Sequence, residues 1–276
     1  MRTIIINSSN LVKGTKNKFQ YYFPTPWSAP RGSRIALQSI SIYNSTFNIK
    51  PAYGNNIFKI YFGDTLYTWT IPSGYYSASD LNNWLQSQFV LNGLYAVQSN
   101  GSFVYFAEII ENPPRYSIQL NVYPLINSSG YSLPDGSNLT LSDNGVTPQV
   151  EISAGLGSLL GLPVGSLPAQ PSANPMQFVS QDYGLAPILS PVDTYVLRCN
   201  MVSSPLSNPS DGFFQVPLSA GLGQLISQSV STLSFVSIYP TIYRYIEILL
   251  CDQFFNPLEN QDTSMTLSIV IDDGQE

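Results

Sequence analysis

The chain of 276 residues has no histidine, and no carboxylate precedes Asp64. Without histidine, Ser-His-Asp and Cys-His nucleophiles cannot form, nor can the commonest zinc and non-haem iron ligand sets. Charge of either sign is scarce: Asp, Glu, Lys and Arg make up 10% of the residues, against about 25% in ordinary soluble domains. A surface built largely from Tyr, Asn and Ser desolvates easily, because an amide or hydroxyl that finds a partner costs far less to bury than an unpaired ion. Extensive, permanent protein contacts suit such a surface. Long apolar runs are missing as well. Ile4, Ile5 and Ile6 are too few for a signal-peptide core, and no stretch approaches the 18 or so residues of a membrane span, so the expectation is a soluble protein made in the cytosol. The two cysteines, Cys199 and Cys251, sit in apolar runs, which predicts buried free thiols rather than a disulfide or a reactive site.

What charge there is lies unevenly. Eight of the eleven basic residues, Arg2, Lys13, Lys16, Lys18, Arg31, Arg34, Lys50 and Lys59, precede the first acid. The stretch up to Gly63 therefore carries +8 and the remainder −14, for a net −6. Such asymmetry predicts two faces that meet different partners.

Short runs rich in β-branched and aromatic residues, separated by turn residues, fill most of the chain. They predict strands at 35–43, 57–62, 67–71, 103–110, 116–122, 194–201, 212–216, 233–239, 243–251 and 265–271. Clean alternation in Ser117–Val122 and Thr266–Ile269 predicts half-buried antiparallel strands. The fold class that follows is all-β, a β-sandwich or jelly roll. One short helix interrupts it: Ser77 and Asp80 form a capping box, Leu81, Trp84, Leu85 and Phe89 recur at helical spacing, and Asn92-Gly93 ends the run. Its apolar stripe predicts a lid over one end of the sandwich, with Trp84 in the core. Residues 111–191 hold 11 of the 21 prolines and read as a Pro/Gly/Ser-rich insertion of long loops or a small inserted unit. The expected organisation is a basic N-terminal arm over 1–30, a jelly roll over 31–110 and 192–276, and the insertion over 111–191.

Catalytic chemistry finds no foothold in these residues. Glu247 with Asp252, and Asp272 with Asp273, lie at strand ends without the same-face spacing that paired carboxylates need. The pentapeptide Ser-Ala-Gly-Leu-Gly occurs at 153–157 and again at 219–223, but its flanks do not repeat. Gly155 to Gly161 is not a nucleotide fingerprint, because its last glycine falls one place late. No enzyme activity, cofactor or metal is expected.

Several segments resemble the minor capsid (penton) proteins of virophages and polinton-like viruses. They are Ile35–Ser45, Asn55-Asn56, Ile71–Tyr76 leading into Leu81-Asn82, Leu159–Leu162, Tyr195–Asn200, and Tyr243–Ile248 followed by Asp252-Gln253, Pro257-Leu258 and Asp262. The resemblance spans about residues 35 to 271. It implies a single jelly roll that forms homopentamers at the fivefold vertices of an icosahedral shell, beside a major capsid protein, in a virion assembled inside the host cell. The resemblance supplies no catalytic residues.

On that reading Arg2, Lys13, Lys16 and Lys18 form an inward arm that touches packaged DNA or neighbouring capsomers, and the +8 segment is the inner side of the shell. Phe213, Phe214, Phe254 and Phe255 are the candidate interface anchors, weighed evenly against burial in the core. A glycan-binding β-sandwich, with Tyr and Trp as stacking platforms, or a viral fibre or receptor-binding head, is the alternative.

Overall fold

The computed structural model describes residues 1–128, 130–205 and 207–274. The chain divides into two units, Met1–Phe47 with Val192–Glu276, and Asn48–Pro191. Each unit has its own hydrophobic core.

The first unit is a sandwich of eight main strands: β1 (Arg2–Asn7), β2 (Lys18–Ser28), β3 (Arg34–Tyr43), β4 (Thr194–Cys199), β5 (Gly212–Pro217), β6 (Leu225–Ser229), β7 (Ile242–Cys251) and β8 (Met265–Asp272). One sheet runs β1-β8-β3-β6, with the short Val236–Ser237 also on β3; the other runs β5-β4-β7-β2. All of these pairings are antiparallel. The chain passes from sheet to sheet at every connection except β4–β5, which gives the double Greek key of a jelly roll. Alternation along the strands sends Ile35, Leu37, Ile40 and Ile42 of β3 inward, together with Tyr195 and Leu197 of β4, Ile246 and Ile248 of β7, and Leu267 and Ile269 of β8. Cys199 and Cys251 are both free and buried. Burial pushes the Cys199 thiol up to about 12.

The second unit is the whole connection between β3 and β4. A four-stranded sheet runs Gly165–Leu167, Gln149–Ile152, Ile57–Phe62, Thr65–Thr70; a three-stranded one runs Met176–Val179, Ser117–Val122, Ala107–Asn112; a small third joins Tyr131–Ser132, Ala96–Gln98 and Phe103–Val104. Helix α1 (Ala78–Leu91) begins with the expected reciprocal cap: Asp80 N–H donates to Ser77 Oγ at 3.1 Å, and Ser77 N–H to Asp80 Oδ2 at 3.1 Å. The hydrogen bonds from Ser77 hold the Asp80 carboxyl below its usual range. Phe89 of α1 meets Phe62 and Trp69 edge-on at 6.0 and 5.8 Å, and Trp84 meets Phe58 at 6.0 Å. A second helix, α2 (Ala154–Leu160), is capped by Ser153 and closed by Gly161 at φ +68, where a Cβ would lie 2.7 Å from that of Ser180.

Several expectations are corrected. Residues 1–30 are not a separate arm, because β1 and β2 complete the two sheets. The inserted unit begins at Asn48 rather than 111, so the strands at 57–62, 67–71, 103–110 and 116–122 belong to it and not to the jelly roll. Among the described residues there are two α-helices, and α1 contributes to the core of the second unit rather than capping the jelly roll. Ser117–Val122 is buried along its whole length, since it is the middle strand of its sheet and flanking side chains cover its polar face. The expected strand at 233–239 shrinks to Val236–Ser237, and 103–110 breaks in two. The repeated pentapeptide starts α2 in one copy and forms a turn in the other, so it marks no internal repeat.

Two consequences are measurable. Tyr195 is 0% exposed, and its hydroxyl donates only long hydrogen bonds, to Asn44 Oδ1 at 3.4 Å and Asn260 Oδ1 at 3.5 Å. Burial raises its phenol to about 12, against smaller lowering contributions from Ser45 and Thr46. Its stabilising contribution is complete below the unfolded value near 10 and is lost as pH rises through 12, worth roughly 2–3 kcal/mol in all. Alkaline denaturation followed with absorbance at tyrosinate wavelengths should show this loss, and Tyr195→Phe should remove that part of the pH dependence. In the second unit, Ser77→Ala should lower stability in denaturant titrations by about 1 kcal/mol through loss of the α1 cap.

Candidate functional site

The four bases expected to face DNA or a neighbour do not gather in one place: Arg2 lies at one end of β1, whereas Lys13, Lys16 and Lys18 lie beyond its other end, and most of them already have partners. Arg2, at the start of β1, pairs with Asp273 at 3.2 Å. Lys16 donates to Gln261 Oε1 at 2.6 Å, and Lys18, at the start of β2, lies 3.4 Å from Glu247. Lys13 is exposed in the loop before β2. Arg34 pairs with Asp272 and lies over the Phe235 ring at 5.0 Å, while in the second unit Lys59 pairs with Glu151 at 2.8 Å. The asymmetry along the sequence is therefore not an asymmetry in space. First strands pair with last strands, and the late acids land against the early bases.

The aromatic candidates separate. Phe213 is buried in the jelly-roll core at 7% exposure, whereas Phe254 is 72% exposed at the tip of the β7–β8 loop. Asp252 builds that tip: its Oδ1 accepts from the N–H groups of Phe254 and Asn256, both at 2.9 Å. Phe214 and Phe255 are half-buried and come together around a small cavity of about 160 Å³. Sequence reasoning missed further exposed apolar groups of this unit, namely Tyr22, Tyr239 and Ile242. Tyr22 stands on the outer face of its sheet, where the register sets it beside Tyr245, with ring centroids 5.6 Å apart. Its hydroxyl donates to Gln20, and Gln20 donates to Glu247 at 2.5 Å, so one row of side chains links Tyr22 to Lys18. Alternation in Lys18–Ser28 would have shown this face, but Pro24 and Pro26 obscure the strand.

The acids weighed for catalysis all serve structure. Glu247 holds Gln20 and Lys18, Asp252 the turn, Asp272 Arg34, and Asp273 Arg2. Among the described residues no cluster of His, Cys, Asp or Glu could hold a metal ion, and no helix is long and apolar enough to cross a membrane. The densest polar cluster lies on the three-stranded sheet of the second unit. Asn121 donates to Glu108 at 2.9 Å, Gln119 to Asn121 at 2.6 Å and Asn112 to Gln119 at 3.2 Å. Tyr123 donates to the same Glu108 oxygen, and burial with that bond pushes its phenol up to about 12. A carboxylate held by two donors, amid carboxamides, ties these strands together.

The segments quoted for the resemblance are also structural. Asn55 donates to the Asn48 carbonyl and accepts from Lys50 N–H, and Asn48 in turn donates to the carbonyls of Tyr76 and Leu189, at 2.8–3.0 Å. These contacts clasp the start of the second unit to its end. In the jelly roll, Ser45 donates to buried Asn260 at 2.6 Å and accepts from Asp262 N–H at 2.8 Å, fixing the chain where it leaves β3.

No protein-family model matches the chain, and no curated protein does. Among solved structures, the crystal structure of the selenomethionine-labelled mavirus penton protein is similar, with 12% sequence identity, 98% of this chain and 97% of that chain covered, and a TM-score of 0.42. That likeness is distant.

Proposed function

We propose that the chain is a structural minor capsid (penton) protein, five copies of which close a ring at the fivefold vertices of an icosahedral shell, beside a major capsid protein, in virions assembled inside the host cell. The observation that carries this reading is the strand connectivity of the first unit, two four-stranded sheets in jelly-roll order with a whole second unit in the β3–β4 connection. Jelly rolls serve chiefly in capsids, lectins and cupins. A cupin's metal needs histidine, which this chain lacks. The resemblance of β3, β4 and β7 to penton sequences favours a capsid.

A cyclic ring closes through heterologous contacts, one patch against a different one. The jelly roll offers suitable chemistry: exposed Tyr22, Tyr239, Ile242 and Phe254 as anchors, set in a surface whose bases and acids largely neutralise one another. Arg2, Lys16 and Lys18 are engaged by their own subunit, so Lys13 is what these bases offer to a phosphate, and neighbouring capsomers are their main partner.

Native mass spectrometry and sedimentation of the full chain should reveal a species of five times the chain mass, alone or with the major capsid protein. Monomer under both conditions at high concentration would sink the reading. Phe254→Ala should weaken ring association by about 2 kcal/mol while leaving the thermal midpoint in place, as expected for an exposed anchor. Replacing Lys13, Lys16 and Lys18 with Gln should lower the yield of complete particles at constant DNA content per particle. Complete particles depleted of DNA would instead assign these lysines to the genome.

A further inference from the structure

Both sheets of the jelly roll are open, and they treat their edge strands differently. An edge strand presents unpaired N–H and C=O groups on which another strand can form, and proteins block this with prolines, charges or an irregular register. In the sheet β5-β4-β7-β2 both edges are blocked. Strand β2 carries Pro24 and Pro26, and its register shifts between Tyr243 and Tyr245 of β7; β5 ends in Pro217, and its register shifts between Leu197 and Arg198 of β4. The edges of the sheet β1-β8-β3-β6 are bare. Strand β6 has no proline and no charge, pairs with β3 without a shift, and lies in a stretch, 212–243, that contains no Asp, Glu, Lys or Arg. Strand β1 pairs with β8 without a shift, and its one charge, Arg2, is at the first position and tied to Asp273.

The free groups of β6 follow from the register. Asn44 N–H donates to the Gln224 carbonyl at 3.0 Å and Val230 N–H to the Gln38 carbonyl at 2.9 Å, so in the uninterrupted ladder between them the even-numbered residues of β6 bond to β3. The N–H and C=O groups of Leu225, Ser227 and Ser229 therefore point away from the sheet, and among the described residues no backbone group meets them. Their side chains stand on the outer face, where Leu225 is 49% exposed, while Ile226 packs in the core. Strand β1 matches: Ile6 is in the core, and Ile5, 59% exposed, stands on the same outer face of the same sheet.

We infer that copies of this chain join edge to edge, β6 of one copy against β1 of the next, so that one sheet runs on from subunit to subunit. A second copy is the occupant because the two bare edges are the opposite ends of one sheet: each copy offers a different edge to either neighbour, which is the heterologous contact that a cyclic ring needs. Direction agrees as well. Neighbouring strands of this sheet are antiparallel throughout, so β1 and β6 run in opposite senses. A copy turned about an axis along the strands thus brings its β1 antiparallel to β6, the pairing the sheet already uses. Ile5 and Leu225 fall on the same face of the joined sheet, as an apolar cross-strand pair requires. The inference rests on the ring proposed above and identifies the surface that closes it.

The test uses the full chain, alone and with the major capsid protein. Variants with one new cysteine on each edge, Thr3→Cys or Ile5→Cys combined with Leu225→Cys, Ser227→Cys or Ser229→Cys, are oxidised and sized without reductant; the native Cys199 and Cys251 are buried. At least one combination should give an interchain ladder that ends at five copies. Ser227→Pro removes an outward N–H that bonds nothing in its own subunit, and should weaken association by about tenfold or more with the monomer's thermal midpoint nearly unchanged. Leu225→Lys leaves the backbone intact, sets a charge on the edge, and should weaken association severalfold. Rings that form at wild-type strength in both variants and give no cross-link in any combination would overturn the edge pairing and leave the ring standing. Open filaments cross-linked from β6 to β1 would uphold the pairing and overturn the ring. Monomer under every condition would overturn both, and cross-links from these edges to the major capsid protein in place of a second copy would overturn the choice of partner.

Discussion

Everything in the first unit depends on strands from the two ends of the chain pairing with each other. β1 and β3 flank β8, and β2 flanks β7, so the opening strands β1 and β2 acquire their ladder partners from the closing ones. Closing a loop that long costs chain entropy, and a connection that is itself folded reduces the cost by holding its own ends in place. The second unit has the means to do so. Its core is separate, its helices carry their own caps, and the Asn48–Asn55 clasp joins its entrance to Tyr76 and to Leu189 near its exit.

The same pairing decides where charge ends up. A chain with all its early bases in one block and its acids in another looks divided between two partners, yet antiparallel closure sets Arg2 against Asp273, Lys18 against Glu247 and Arg34 against Asp272. Exposed pairs of this kind add little stability, about 0–1 kcal/mol each. Their larger effect is on the exterior, because each pair removes two monopoles from a surface that has few to begin with.

In the jelly roll the most legible strands were the inner ones. β3, β4, β7 and β8 are inner strands with apolar residues on the core face, and each was readable from composition and alternation. In the jelly roll the strands that escaped notice, β1, β2 and β6, are at sheet edges, although the edge strand β5 was legible at 212–216; in the second unit the inner strands Gln149–Ile152 and Ala96–Gln98 escaped notice as well. In β2, Pro24 and Pro26 are tolerated because an edge N–H has no ladder partner to lose, and the same prolines hide the strand from anyone reading the sequence. Burial misled in the opposite direction at Ser117–Val122: the pattern of alternating polar residues is real, but its polar face is covered, with Gln119 and Asn121 bonded to each other.

Scarcity of charge, the first property noticed, gains a sharper physical meaning from the ion pairs. An interface between copies of such a subunit removes few ions from water, so its main desolvation cost falls on amides and hydroxyls that the neighbour's own amides and hydroxyls can satisfy. On the proposed assembly role, attraction would come from packing a few large exposed side chains such as Phe254 and Tyr22, and long-range steering would contribute little. Association of this kind is slow to find its register but weakly dependent on salt, which suits contacts made once and kept.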